Sequence, residues 1–213
     1  NSMKIKKNNY KKYKKAQKNM VKRHQKGLKH KQLTEKCSFA TKEHLDFVIE
    51  KFKEHKKDIS DSEIICHGVR NGYESKFFMD HFGKNNVYST DIVDTFMLDK
   101  TNFFVQDFDT DVKEWENKFD FLYSNVIDHS QNPDKTLEIW NKQVKVDGLL
   151  FVQFHGGIKV NNADCFALSL ENYKEEISFL IRGLSIRIID MSEKMWRKYN
   201  KTMSVNVIFK RCK

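Results

Sequence analysis

The sequence predicts an α/β fold: a mostly parallel sheet covered by helices on both faces and closed by an antiparallel strand pair. Three observations carry that expectation. Short apolar runs alternate with helix-period runs through the middle of the chain, the pattern of parallel strands joined by crossover helices. One such run, Ile64 to Cys66, breaks into a turn holding Gly68 and Gly72 before a helix begins; at the carboxyl end of a strand, such glycines let backbone approach a ligand. Residues 184–191 and 203–211 are β-rich and joined by eleven residues, too few for a helical crossover, so they pair antiparallel.

With 213 residues and 25.4 kDa the chain holds one well-buried domain and an appendage. The net charge is +10, but it is unevenly placed: residues 1–36 hold thirteen Lys and Arg23 against the single acid Glu35, and the remainder has 28 acids to 25 bases. The basicity therefore belongs to an arm, residues 1–36, and residues 37–213 form the folded domain. Cys37, Cys66, Cys165 and Cys212 lack the spacing of a zinc site or redox pair, as expected of reduced thiols in a cytoplasmic protein. No apolar run approaches a membrane span, and the first residues lack an apolar signal core.

In chain order, Tyr10, Tyr13, Met20, Val21, His24 and Leu28 recur at helical spacing in the arm. That stripe fits a basic amphipathic helix lying on the domain, on an acidic partner or on a nucleic acid; the alternative is a solvated, partly disordered tail. Residues 41–56 place Leu45, Val48, Ile49 and Phe52 on one face behind a Thr41 N-cap. After the first strand and its glycine turn, residues 75–82 read as a helix. Strands follow at 87–92, 102–106, 119–124 and 148–154. Between them a helix spans 133–144 with Pro133 at its first position, and a further helix is expected over 164–180.

Polar positions end successive strands. Asp91 closes the second strand nineteen residues after Gly72, where an acid can accept hydrogen bonds from ribose hydroxyls or cap the next helix. Asp107 ends the third strand beside Phe108: its carboxylate could take an adenine amine while the ring packs, or it could close an Asx-turn. Ser124 and Asn125 end the fourth, facing the same crevice.

These residues resemble the class I S-adenosylmethionine-dependent methyltransferases over about residues 60–211, including the antiparallel closing pair. The resemblance implies a Rossmann-like three-layer α/β/α fold with a seven-stranded sheet. It also implies S-adenosyl-L-methionine as cofactor and S-adenosyl-L-homocysteine as product. The first motif departs from the family, with Cys66 at the usual acid and Arg70 at the middle glycine. The cofactor set implied is His67, Gly68, Arg70, Asn71, Gly72 and Glu74 from the turn, Asp91 and Ile92 at the ribose, Asp107 and Phe108 at the adenine, and Ser124 and Asn125 on the reaction side. A narrower likeness, through Cys66-His67-Gly68, Arg70, Gly72, Glu74, Thr90-Asp91-Ile92, Asp107-Phe108, Trp115 and residues 119–130, is to small methyltransferases found with or fused to glycosyltransferases in bacteria and large DNA viruses. It implies a sugar hydroxyl of a glycan as acceptor and, for a viral protein, the host cytoplasm.

Methyl transfer to a hydroxyl needs alignment of donor and acceptor and a group to take the proton. Asp128 and His129 follow the fourth strand and His155 the fifth, so these three are the expected proton acceptors, His129 first because a pKa near 6.5 leaves it unprotonated at neutral pH. No metal-ligand spacing is present, and no metal is expected. Two other classes fit the same features: an RNA methyltransferase whose arm neutralises phosphates, and a non-catalytic binding module that keeps the cofactor fold.

Overall fold

The computed structural model describes residues 2–26, 40–94, 100–193 and 203–213. Its strands are β1 (Lys4–Ile5), β2 (Ile64–His67), β3 (Val87–Asp91), β4 (Phe103–Val105), β5 (Phe119–Ser124), β6 (Val144–Gly156), β7 (Phe166–Ala167), β8 (Ile186–Ser192) and β9 (Met203–Arg211). Its α-helices are α1 (Tyr10–Lys26), α2 (Lys42–His55), α3 (Tyr73–Phe82), α4 (Pro133–Gln143) and α5 (Tyr173–Leu180). Seven strands form one sheet in the order β4-β3-β2-β5-β6-β9-β8. The first five run parallel and β9 pairs antiparallel with both β6 and β8, as the short 192–202 connection requires.

Strand pleating divides the core into two layers. Ile64 and Cys66 of β2 pack with Leu45, Val48 and Phe52 of α2 and Phe78 and Phe82 of α3. Ile65 of the same strand packs on the other face with Leu137 and Trp140 of α4 and Ile177 and Leu180 of α5. Phe52 stacks on Phe121 of β5 at 4.2 Å between ring centroids; burying each such ring is worth about 1.5–3 kcal/mol. Helix α2 starts where expected, with Thr41 Oγ1 accepting the His44 N–H at 3.2 Å, one of the orphan donors of a first turn.

One expectation is corrected here. The helix foreseen over 164–180 exists only in its second half. Phe166 and Ala167, both buried, instead form β7 and pair with β1 of the arm. The apolar run at 165–168 was read with helical period although it is a strand, an ambiguity inherent to short apolar runs. Of the placements open for the arm, its helix takes the one on the domain: Tyr13 and Val21 are 3% and 4% exposed. Leu28, the last member of its stripe, and Cys37 lie outside the described residues, as does the side chain of His24.

The chain runs outward from β2 through β3 to β4, then returns to build β5 and β6 on the other side. The carboxyl ends of β2 and β5 therefore flank a topological switch point, where open sheets leave a crevice.

Candidate active site

The loop after β2 is built around backbone positions that few residues tolerate. Gly68 has φ +74°, and a Cβ there would meet Val126 Cγ2 at 2.4 Å. The turns after β2 and β5 thus touch across the switch point, and only hydrogen fits between them. Gly72 sits at φ +78° as the N-cap of α3. Arg70, at φ +42°, takes a left-handed conformation that costs a non-glycine residue energy. What holds it is Asp91 at the end of β3: its Oδ2 accepts the Arg70 N–H at 2.8 Å and its Oδ1 the Val93 N–H at 3.1 Å. Each Asp91 oxygen keeps a lone pair for a further donor. Burial pushes its pKa up, while those two N–H bonds and the charges of His129 and Arg70 pull it down less strongly.

A cavity of about 350 Å³ opens above these strand ends, lined by Gly68, Arg70, Glu74, Asp91, Ile92, Asp107, Phe108, Asn125, Asp128, His129 and His155 among the residues expected from sequence. Asp107 is buried at its wall. Tyr10 Oη donates to its Oδ2 at 3.3 Å, and its Oδ1 meets no N–H or hydroxyl donor, its neighbour being the Asp109 carboxyl. Burial, then the neighbouring Asp109 carboxyl, raise the Asp107 pKa. A buried acceptor with an unused lone pair costs free energy unless a donor arrives, so this wall suits a ligand that presents an N–H.

His67 is not among the lining residues. Pleating turns it to the α4 layer, where its ring stacks on Trp140 at 5.2 Å. Its two nitrogens meet Thr90 Oγ1 at 2.9 Å and Gln143 Oε1 at 2.8 Å, and burial lowers its pKa to about 4. It is a neutral core histidine. Asn71, Gly72 and Ser124 shape the loops without lining the cavity. Asn71 Oδ1 accepts the Tyr73 N–H at 3.2 Å, and Ser124 Oγ accepts the Val126 N–H at 3.4 Å.

On the opposite wall, Asp128 and His129 lie in the turn after β5. His129 Nδ1 is 3.0 Å from the Ala163 carbonyl and 3.3 Å from Asp164 Oδ1. A carbonyl can only accept, so Nδ1 carries the proton and Nε2 is the nitrogen left for chemistry. Burial alone would lower the imidazole's pKa. Asp128, Asp164 and the Ala163 carbonyl together outweigh it and raise the value to about 9. The expectation of an unprotonated His129 at neutral pH is corrected accordingly: at pH 7 it is an imidazolium, because two carboxylates face it. Its ring and those carboxylates bring one donor atom each within 4.8 Å of one another. Asp128 Oδ1 is buried without a hydrogen-bond partner. His155, at the end of β6, has Nδ1 3.2 Å from Ser204 Oγ.

Sequence reasoning missed Asp164, hidden inside a helix that does not form there, and the roof of the cavity. Tyr13, Gln17, Met20 and Val21 of α1 line it, and Gln17 Nε2 donates to the Ala163 carbonyl at 2.6 Å. The helical stripe in the arm was visible; what it lay on was not.

No family model and no curated protein sequence matches the chain. Solved structures do, and what they share with it is the fold. The Burkholderia thailandensis 1,6-didemethyltoxoflavin-N1-methyltransferase, seen with 1,6-didemethyltoxoflavin and S-adenosylhomocysteine, superposes with a TM-score of 0.68 at 12% identity, over 93% of this chain and 88% of that one. A putative sarcosine dimethylglycine methyltransferase from Galdieria sulphuraria gives 0.59 at 10% identity, over 80% and 86%. The cyclase SpnF gives 0.60 at 10% identity, over 81% and 83%. The chain therefore has the Rossmann-like fold of S-adenosylmethionine-dependent methyltransferases, a fold that also carries other chemistry.

Proposed function

We propose that the protein is an S-adenosylmethionine-dependent methyltransferase acting on a hydroxyl group, and that the acceptor is a sugar of a glycan. The observation that carries the cofactor reading is the pairing of Asp91 and Asp107 in one cavity: two buried carboxylates with unused lone pairs, on adjacent strand ends. Asp91 suits the two hydroxyls of a ribose, and Asp107 Oδ1, orphaned and buried, suits the exocyclic amine of an adenine beside Phe108. Gly68 and Arg70 frame the approach to the methionine end. The bound cofactor would supply an electrophilic methyl on a sulfonium, and the protein's task is to hold an acceptor in line and remove its proton.

For that proton the reading favours His129 Nε2, with Asp164 and the Ala163 carbonyl orienting the ring through Nδ1. Because carboxylates raise its pKa to about 9, only about one molecule in a hundred holds it unprotonated at pH 7. Turnover should therefore climb with pH towards that value. A flat profile would transfer the role to Asp128.

The hydroxyl and the glycan rest on the motif likeness alone. Of the neighbours, one is an N1-methyltransferase and one a cyclase. Titration calorimetry with S-adenosylhomocysteine tests the cofactor: Asp91→Ala should weaken binding by about 1–3 kcal/mol through the lost charged acceptor. Absence of heat with folded protein would end the enzyme reading. Labelled cofactor against a panel of glycans, capped RNA and small hydroxylated acceptors tests the rest.

A further inference from the structure

The outward face of α1 takes no part in the cavity, and its sequence contradicts the ordinary electrostatics of a helix. Lys11, Lys12, Lys15, Lys18, Lys22 and Arg23 are all exposed, and α1 has no acidic residue in its first turn. Lys11 and Lys12 sit at the positive end of the helix dipole, where cations are unfavourable. Lys11 and Lys15, Lys14 and Lys18, and Lys18 and Lys22 are like charges four residues apart, each pair destabilising. Among the described residues none of the six exposed cations forms an ion pair that would offset this arrangement. A row of locally unfavourable choices without a folded-state gain is the mark of a binding face.

We infer that this face of α1 is a landing surface for single-stranded RNA. A chain of phosphates would neutralise the whole stripe, Lys11, Lys15, Lys18 and Lys22, which lies along one side of the helix. Tyr10, 54% exposed, stands at the first turn between the stripe and the cavity wall, its hydroxyl on Asp107 and Lys14 Nζ 5.8 Å from its ring centroid, so its ring is open to a base beside the cation track. Cations along a backbone track with an aromatic beside them are the parts of a single-strand binding surface. A membrane surface fits less well, because the apolar side of α1, Tyr13 and Val21, is already buried against the crevice. A sulfated glycan offers the charges but no base to stack. The inference goes beyond the methyltransferase reading and needs neither cofactor nor turnover.

The test is fluorescence anisotropy of the full chain with a labelled 12-nucleotide uridine-rich RNA across a salt series. Four to six neutralised phosphates give a slope of log K against log salt of about −3 to −4. The variant Lys11→Gln/Lys15→Gln/Lys18→Gln/Lys22→Gln should lose about tenfold or more in affinity and reduce the slope by about 3, to between about −1.4 and zero. These residues do not line the cavity, so S-adenosylhomocysteine affinity should be unchanged. Three results would overturn the inference: no binding at low salt, equal binding by the quadruple variant, or tighter binding of a sulfated oligosaccharide of equal charge.

Discussion

Asp164→Asn is the substitution that most directly probes the acceptor wall. The imidazole of His129 rises from an ordinary 6.5 to about 9, which corresponds to about 3 kcal/mol in favour of the charged ring. Burial opposes that preference, so the carboxylates supply more than the net. Asp164 is one of two, and losing an opposite charge at this distance shifts a pKa by about 1–3 pH units. A two-dimensional NMR titration of the imidazole reads the shift without any acceptor. The parent His129 should titrate near pH 9, and the variant should titrate at lower pH by that interval. Stability carries the same signature. A histidine whose folded pKa exceeds its unfolded one stabilises the protein fully below pH 6.5 and loses that contribution as pH rises through the folded value. Urea unfolding of the parent should therefore weaken between pH 6.5 and 9 by up to about 3 kcal/mol. The variant should weaken less. A parent His129 that titrates near 6.5, or a variant that titrates with the parent, would refute the ion-pair reasoning and with it the alkaline rate profile.

Gly68→Ala should cost about 1–3 kcal/mol from the left-handed backbone alone, and its new Cβ would press Val126 out of the crevice. Adding Val126→Ala should restore part of the lost stability in thermal unfolding but not the part due to φ. Affinity for S-adenosylhomocysteine should fall as pH drops through a range well above that of ordinary carboxylates, because Asp107 is held high by burial and Asp109 and protonation removes its acceptor; calorimetry at several pH values reads this, and Asp107→Asn should abolish the dependence. Deleting residues 10–26 should leave the two core layers intact, since neither contains a residue of α1, yet weaken cofactor binding by removing the roof of the cavity. Circular dichroism and calorimetry on the same sample separate the two effects.

The side of the cavity built from the strand ends was legible because its residues are local. Gly68, Arg70, Asp91, Asp107 and Asn125 each stand within a few positions of a strand end, and strand ends can be found from apolar runs. Once the strands are ordered into a parallel sheet, pleating and the switch point bring those ends together without further information. His67 failed the same logic by one position: adjacent to the turn in sequence, it faces the opposite layer because side chains alternate along a strand. The sequence showed where the strand stopped but not which face its last residue would take.

The side around His129 obeys no such local rule. Asp164 reaches His129 from 35 positions away, through a loop that sequence reasoning had assigned to a helix. Tyr13 and Gln17 arrive from the far end of the chain. Gln17 and His129 meet on one oxygen, the Ala163 carbonyl, so the roof and the proposed proton acceptor are tied to a single loop. A shift of α1 cannot leave that carbonyl's hydrogen bonds unchanged, and the orientation of His129 depends on them. The Lys-rich arm, which composition alone marks as a separable tail, is thereby coupled to the cavity it covers. Its inner face helps to hold the imidazole in place, and its outer face carries the charge.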